Sequence, residues 1–362
     1  MKILIDINHP AHVHYFRNFI KLMETKGHEF CVINRDSKMI NQLLDYYEIK
    51  HIIRNKRPEK KGTVASLMNL TRMTIRCIRA SFTFHPDMYM GFASSACAIT
   101  SWLFRKPSIL MDDTEHNVMN HRIYMPVCSV VLTPFYFSKE LQKEENNQKQ
   151  FRFDAYIEQL YLHSALYVNK KKVLDELNVK PKEYVLVRYI AYDAHHDIVA
   201  QPLSEEAKKQ IIVELTKHYR VFVSLEKGVN DPFYNDFLLK ISPEKMHDLE
   251  ANAKFLVTEG ATMASEAFVL GVPYLYLNPL KCGYIDYQCK NYPYRAFQTT
   301  DVDESKAVIE KLCKLDVNCD QEKLIVENNT INPTDFLIWF VENYPKSRYV
   351  LKENPDFQNI FK

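Results

Sequence analysis

Glycine is scarce in this chain, with only seven glycines among 362 residues. A phosphate-binding loop of the glycine-rich kind needs several glycines close together, so that its backbone can approach the phosphates. The seven are spread over the whole length, and the sequence therefore excludes a loop of that kind. Any phosphate site has to be built differently.

The sequence also lacks paired cysteines and long apolar runs. Its eight cysteines contain no Cys-x-x-Cys pair and have mostly apolar neighbours, which predicts reduced core thiols and no metal site. No stretch approaches the roughly 20 uninterrupted apolar residues of a bilayer span. The opening residues reach Asp6 and His9 too early for a signal peptide. We expect a cytoplasmic protein, with a peripheral position at the inner face of the membrane as an open alternative.

The charges are nearly balanced, and the formal net charge is +2. This gives no global field of the kind that favours nucleic acid, so no nucleic-acid partner is expected. Hydrophobic residues make up 46% and charged residues 25%, a globular composition, and the length suits two domains.

Strand and helix signals alternate along the chain, which predicts parallel sheets covered by helices. The alternation weakens between about 135 and 178 and then resumes. We expect a Rossmann-like domain over 1–166, a second over 182–330, and a C-terminal helix and tail over 331–362 that packs back on the first domain. The predicted strands are Lys2–Ile7, Glu29–Asn34, His51–Ile53, Asp87–Gly91, Pro107–Met111, Ser129–Thr133, Tyr184–Arg188, Arg220–Ser224, Lys254–Thr258 and Pro273–Asn278.

Three histidines follow the first predicted strand: His9, His12 and His14. In open parallel sheets, ligands bind beyond the carboxyl ends of the strands, so an imidazole there can act as a general base. The alternative is structural: Asn8 and His9 cap a turn, Pro10 opens the helix, and His12 or His14 hydrogen-bonds at a domain interface.

A cluster of ionisable residues follows the strand that ends at Met111: Asp113, Glu115 and His116, after Asp112. We expect at least one of the three to serve at the site. Paired carboxylates also cap helix N-termini, and that alternative stays open. The spacing of these residues is loose for a set of metal ligands, so no metal site is expected here.

A third motif runs from Thr258 to Glu266. Gly260 lets the backbone approach a ligand, and the helix N-terminus from there through Thr262 and Met263 offers N–H groups to a diphosphate. Ser265 is a further binding candidate, and Glu266 is placed to accept hydrogen bonds from a ribose diol. The alternative is a capping box, in which a Thr and a later Glu satisfy the start of the helix.

Two further segments carry charge. Arg188 ends the first strand of the second domain, where a guanidinium suits a phosphate, and His195 follows in the same loop. An ordinary aromatic and polar surface loop is the alternative. The stretch Lys50–Arg79 holds nine Lys or Arg against one acid, with apolar residues interleaved. It predicts contact with an anionic membrane or acceptor, or else a solvated basic face over a core-packing stripe.

The opening Lys2–Phe16 segment, the Asp112–His116 stretch and the Thr258–Pro273 segment together resemble a prokaryotic domain family of unknown function. That family is described as predicted glycosyltransferases of surface-polysaccharide gene clusters. The Thr258–Pro273 segment is more distantly similar to UDP-N-acetylglucosamine 2-epimerase and to the lipid-linked N-acetylglucosaminyltransferase of peptidoglycan synthesis. The resemblance implies a GT-B-like α/β fold, in which two Rossmann-like domains with parallel sheets face each other across a cleft.

The resemblance also implies an activity. A sugar would pass from a nucleotide-sugar, expected to be UDP-linked, to a glycan or lipid-linked acceptor, with no cofactor and no metal. Gly260, Thr262 and Glu266 would hold the nucleotide, and His12 or, failing it, Glu115 would take the acceptor proton. The alternatives are a nucleotide-sugar epimerase that uses the Asp113–His116 cluster, and a non-catalytic nucleotide-sugar or glycan sensor.

Overall fold

A computed structural model describes residues 1–53, 63–141, 148–190, 203–225 and 231–362. The chain divides into two compact units, each described here by itself. The first comprises Met1–Tyr161 together with Thr330–Lys362, and the second comprises Leu162–Asn329.

The first unit contains a parallel sheet of seven strands in the order β3-β2-β1-β4-β5-β6-β7. Its strands are β1 (Lys2–Ile7), β2 (Glu29–Asn34), β3 (His51–Ile53), β4 (Met88–Phe92), β5 (Ser108–Met111), β6 (Val130–Pro134) and β7 (Gln150–Phe153). Its helices are α1 (Pro10–Thr25), α2 (Lys38–Tyr46), α3 (Thr63–Phe84), α4 (Ser95–Leu103), α5 (Val118–Tyr124) and α6 (Gln159–Leu162).

The second unit contains a parallel sheet of five strands in the order β12-β11-β10-β8-β9. Its strands are β8 (Tyr184–Tyr189), β9 (Arg220–Leu225), β10 (Leu256–Thr258), β11 (Tyr274–Tyr276) and β12 (Ala296–Gln298). Its helices are α7 (Lys172–Leu177), α8 (Glu205–Thr216), α9 (Met246–Ala251), α10 (Ala261–Val269), α11 (Gly283–Asn291), α12 (Val302–Lys314) and α13 (Cys319–Asn328), with short 3₁₀ helices at Pro232–Tyr234 and Pro243–Lys245.

The last part of the chain returns to the first unit as α14 (Pro333–Glu342), α15 (Lys346–Glu353) and a 3₁₀ helix at Pro355–Phe361. The N–H of Ile331 donates to the carbonyl of Asp154 at 2.9 Å. The hydroxyl of Thr334 donates to the carbonyl of Leu160 at 3.0 Å. This segment is therefore an integral part of the first unit.

Both sheets reverse their strand order once. In the first unit the chain lays β2 and β3 on one side of β1 and then returns to β4 on the other. In the second unit the same reversal places β9 and β10 on opposite sides of β8. The loops after the strands at a reversal diverge, and the crevice between them is where open α/β sheets bind ligands.

Close packing at the first reversal requires glycine. Gly91 pairs with Asp6 across β1 and β4. A Cβ atom at Gly91 would lie only 2.8 Å from the Cβ of Ser94. The Ser94 hydroxyl donates to Asp6 at 2.5 Å, which joins the carboxyl ends of the two strands.

These observations confirm an α/β fold with two parallel, helix-covered sheets. The strands are apolar because helices cover both faces of each sheet. Ser94, Ser204 and Asp301 are N-caps, and the side chain of each accepts a hydrogen bond from a backbone N–H of the helix that follows. The eight cysteines are free thiols, five of them buried. In the described ranges, no helix is long and apolar enough to span a bilayer.

Candidate functional site

The turn between β10 and α10 carries the third predicted motif. Gly260 is the N-cap of α10, and that first turn has no side-chain cap and no acidic residue. The capping-box alternative is therefore not formed. The first N–H groups of a helix have no partner within it and lie at the positive end of its dipole. This geometry suits a phosphate or diphosphate.

The fold itself does not require glycine at position 260. Gly260 has φ −94° and ψ 118°, a conformation open to most residues. A Cβ atom there would lie 3.5 Å from Ile190 Cγ2 and 3.5 Å from Thr258 Oγ1, both ordinary contacts. Gly91, by contrast, has no room for one. The missing side chain at Gly260 leaves the backbone open to a ligand.

The other predicted residues of α10 fall into two groups. Thr262 and Met263 lie half-buried in the first turn, beside the N–H groups. Ser265 is fully buried, and its hydroxyl accepts a hydrogen bond from Gln288 Nε2 of α11 at 3.2 Å. The first two are placed to meet a ligand, whereas Ser265 joins two helices.

Glu266 is buried and paired. Its Oε1 lies 3.0 Å from Nε2 of His247, a buried residue of α9. The imidazole therefore orients the carboxylate, a contact that the sequence did not indicate. The predicted ribose role remains a prediction.

We expect Glu266→Ala to weaken binding of uridine and UDP alike by about 1–3 kcal/mol, the usual loss of a hydrogen bond to a charged group. Titration calorimetry measures it. The matched control is His247→Ala, which removes the orienting partner and keeps the carboxylate. If Glu266→Ala binds both ligands like the parent and only melts earlier, Glu266 serves packing alone.

A buried ion pair lies directly behind the turn. Glu259 is fully buried; its Oε1 lies 3.2 Å from Lys208 Nζ of α8, and its Oε2 accepts the Ile190 N–H at 3.0 Å. The carboxylate thus ties the loop after β8 to the turn before α10. Removing one partner of a buried pair typically costs about 3–5 kcal/mol. An acid just after an apolar strand was the available signal, but nothing in the sequence indicated its lysine.

Arg188 lies at the carboxyl end of β8, between its neighbours β9 and β10. Its Nη1 donates to Ser224 Oγ at 2.7 Å, which orients the guanidinium. The predicted partner in the same loop, His195, lies outside the described residues.

In the first unit, His9 and His12 lie after β1. His9 is the N-cap of α1, and its Nδ1 accepts the Ala11 N–H at 3.2 Å, with Pro10 as the first helical residue. The structural alternative for His9 is therefore confirmed, although its imidazole is exposed to solvent. His12 is half-buried, with its ring 4.8 Å from that of Phe92 at the end of β4.

The electrostatics of His12 differ from the expectation of a near-neutral pKa. Burial, together with the charges of His9 and Arg35, holds the pKa of His12 well below its usual value. The Asn8 N–H points to its Nδ1 at 3.4 Å. A neutral imidazole that accepts at Nδ1 carries its proton on Nε2 and donates there. The geometry therefore favours His12 as a hydrogen-bond donor over His12 as a base.

His14 points into a packing cluster. It is buried, its Nδ1 lies 3.1 Å from Arg17 Nη1, and its ring stacks on Tyr161 with centroids 5.3 Å apart. Arg17 in turn lies over the ring of Tyr47. These contacts favour a structural role for His14.

The two adjacent carboxyl groups after β5, those of Asp112 and Asp113, differ in burial and in hydrogen-bond partners. Asp112 is fully buried and bonded to the Tyr124 hydroxyl at 2.6 Å and His121 Nε2 at 3.1 Å, so it anchors α5. Asp113 is half-buried and accepts from the Thr114 hydroxyl at 3.0 Å. Burial, reinforced by the negative charge of Asp112, raises the pKa of Asp113 to about 7.

Tyr136, which follows β6, is close enough to Asp113 and to buried Glu158 for their charges to act on it. Burial and these two carboxyl groups hold the pKa of Tyr136 well above its usual value. Its phenol therefore keeps its proton and remains a hydrogen-bond donor. Nothing in the sequence brought Tyr136 or Glu158 to this site, because they lie far from Asp113 along the chain.

The other two candidates of this stretch are Glu115 and His116. Glu115 Oε1 accepts the N–H of Ser138 at 2.5 Å and its hydroxyl at 2.8 Å, so this carboxylate holds the loop after β6. His116 is exposed. Within the described ranges, no group of three or more His, Cys, Asp or Glu is placed to hold a metal.

Known proteins share this architecture. The chain is 22% identical over 284 residues to an uncharacterized protein of Methanocaldococcus jannaschii, covering 75% of this chain and 80% of the relative. It is 28% identical over 112 residues to the teichoic acid glycerol-phosphate primase of Bacillus subtilis, covering 30% of this chain and 29% of that protein.

Solved structures show the same fold at low identity. UDP-N-acetylglucosamine 2-epimerase from Rickettsia bellii superposes with a TM-score of 0.66 at 12% identity, covering 97% of this chain and 98% of that one. The Neisseria meningitidis UDP-GlcNAc 2-epimerase bound to UDP-GlcNAc gives 0.61 at 12% identity, covering 92% and 96%. A spinosyn rhamnosyltransferase complexed with spinosyn aglycone gives 0.62 at 12% identity, covering 95% and 100%.

These neighbours are GT-B-like epimerases and glycosyltransferases, and the likeness extends over nearly the whole chain. The model of one sequence family matches residues 1–346. The chain belongs to that family, which is described as "Protein of unknown function (DUF354)".

Proposed function

We propose that the protein is a glycosyltransferase that moves a sugar from a nucleotide-sugar to a glycan or lipid-linked acceptor in surface-polysaccharide synthesis. The observation that carries the proposal is the start of α10, an uncapped helix N-terminus behind a glycine that the fold does not need. Similarity to a teichoic acid glycerol-phosphate primase supports a role in the synthesis of a surface polymer, and a fold shared with a rhamnosyltransferase supports sugar transfer.

The second unit would bind the donor. The N–H groups of Ala261, Thr262 and Met263 and the helix dipole would accept the diphosphate charge as the leaving group departs. The Gly260 N–H already donates to Thr258 Oγ1 at 2.9 Å. Arg188, oriented by Ser224, would add a charged donor at the neighbouring strand end. The buried pair of Glu259 and Lys208 would keep the two loops in place. This charge stabilisation does not depend on a metal.

The first unit would supply the acid–base group. A base works best with a pKa near the working pH, which fits Asp113 better than His12. The Glu115 carboxylate already accepts two hydrogen bonds from Ser138. Asp113 would take the proton of the acceptor hydroxyl. His12 would donate a hydrogen bond from Nε2.

A nucleotide-sugar epimerase is the second candidate, and the raised pKa of Asp113 is the observation that favours it. Abstraction of a sugar C–H proton also needs a carboxylate poised near neutral pH. The turn between β10 and α10, which would hold the nucleotide-sugar, would serve both reactions unchanged.

Incubation with UDP-N-acetylglucosamine in heavy water separates these functions. The proposal expects UDP release that depends on an added glycan or lipid extract, with no solvent deuterium in the recovered sugar. Deuterium at C2 without acceptor would instead identify an epimerase. A rise in melting temperature with neither reaction would indicate a sensor. The Gly260→Val variant is the matched control in every arm.

A further inference from the structure

The outer face of α3 is apolar although it does not contribute to the core. Its inner side carries Leu70, Met73, Cys77 and Phe84, which pack into the core of the first unit. On the outer side Met68, Ile75 and Phe82 are exposed, Phe82 by 66%. These three are seven residues apart, about two helical turns, and so form one line along the helix.

Arginines flank this apolar line. Arg72 and Arg79 are exposed and each lies four residues beyond Met68 or Ile75, in the adjacent row of the helix surface. The α3 sequence, Thr63–Phe84, contains no acidic residue, and Asp87 is the only one between positions 60 and 111. The face therefore combines an apolar centre with a basic margin, in a helix whose own sequence contains no acidic residue.

The same pattern continues onto the end of α4. The ring of Phe82 meets that of Phe104 edge-on, with centroids 5.2 Å apart. Next to it, Trp102 is 61% exposed and Leu103 is 51% exposed. The exposed basic residues Arg105 and Lys106 follow. Single exposed apolar residues are ordinary, but a run of them across two neighbouring helices marks an interaction surface.

We infer that this face, made of Met68, Arg72, Ile75, Arg79, Phe82 and Trp102, docks on the surface of an anionic lipid bilayer. Charge complementarity selects this occupant, because each Arg near an anionic leaflet strengthens the attraction to it. Arg side chains can keep the guanidinium among headgroups while the apolar line and Trp102 enter the boundary of the acyl chains. The inference rests on this surface alone and not on the proposed sugar chemistry.

Vesicle flotation with the full chain tests the inference. We expect binding to vesicles of phosphatidylcholine mixed with phosphatidylglycerol, and little binding to phosphatidylcholine alone. Ile75→Ser with Phe82→Ser should reduce the bound fraction at least about tenfold, through loss of apolar burial. Arg72→Gln with Arg79→Gln should weaken binding and reduce its dependence on salt. Leu324→Ser, at an equally exposed leucine of α13, is the matched control and should bind like the parent.

Two results would overturn the inference. The first is no binding of the parent to the anionic vesicles. The second is equal binding of the parent and the Ile75→Ser, Phe82→Ser variant, with unchanged melting temperatures. Loss of a concentration-dependent dimer in that variant, without vesicle binding, would assign the face to a second copy of the chain. Failure of the proposed function would show separately, because the nucleotide assays contain no vesicles.

Discussion

Replacing Asp113 by asparagine is expected to lower turnover by about 10²–10⁴, the usual contribution of a positioned acid–base group. Asparagine keeps the size of the side chain and its place beside Thr114, but it cannot take a proton. Donor affinity should change little, because Asp113 is proposed to act on the acceptor hydroxyl, whereas the turn between β10 and α10 is proposed to hold the donor. Steady-state rates and calorimetry on the same preparation measure the two effects separately.

The dependence of the rate on pH should show whether Asp113 is the base. The carboxylate is the active form of a base, so the rate should rise with pH through about 7 and fall below it. Asp113→Asn should remove this acidic limb of the pH profile, the part over which the rate rises with pH. Glu115→Gln is the control, because Ser138 already holds that carboxylate and the limb should survive. His12→Gln should also keep the limb, since glutamine still donates a hydrogen bond. A limb lost in His12→Gln and kept in Asp113→Asn would make His12 the base.

Gly260→Val is expected to weaken UDP binding by about 100-fold or more while the protein stays folded. The added side chain would cover the N–H groups at the start of α10, and each charged hydrogen bond lost is worth about 1.5–3 kcal/mol. The backbone angles at Gly260 suit valine, and the first added carbon meets only ordinary contacts. A thermal-shift titration with UDP gives folding and binding in one experiment.

Gly260→Ala and Gly91→Ala complete the series. The first should fold like the parent and bind UDP less tightly, because its methyl group covers less of the turn. The second should lower the melting temperature, because its Cβ would collide with Ser94. Undiminished affinity in Gly260→Val would remove this turn from the site.

Most of the fold could be predicted from periodicity, because buried parallel strands have a strong apolar signal. The strands Lys2–Ile7 and His51–Ile53 were predicted with the bounds observed for β1 and β3. β7 was missed, since its Gln and Arg break the apolar pattern of this edge strand. The side-chain spacing over 243–252 predicts one helix, whereas the structure has a 3₁₀ turn followed by α9. Side-chain spacing does not distinguish the two patterns of hydrogen bonding.

The sequence also predicts that the candidate residues follow strands, as the structure shows for those it describes, but it does not indicate their surroundings. Asp112 and Asp113 are adjacent residues of the same type. Only the fold shows that Asp112 anchors α5, whereas the pKa of Asp113 is raised to about 7. The preference of His12 for donating depends on the backbone N–H of Asn8. Such differences arise from burial and from partners distant in the chain, which no local pattern contains.

The return of the chain to the first unit has a genetic consequence. A stop codon just after Asn329 would leave the second unit fully encoded but remove α14 from the first. Phe336 and Phe340 of that helix pack against Phe153 and Phe151 of β7, the edge strand of the larger sheet. A truncated product would therefore expose an aromatic sheet edge, the kind of surface on which chains aggregate. Nonsense mutations near the end of the gene would therefore damage the first unit, most of which is encoded at the start.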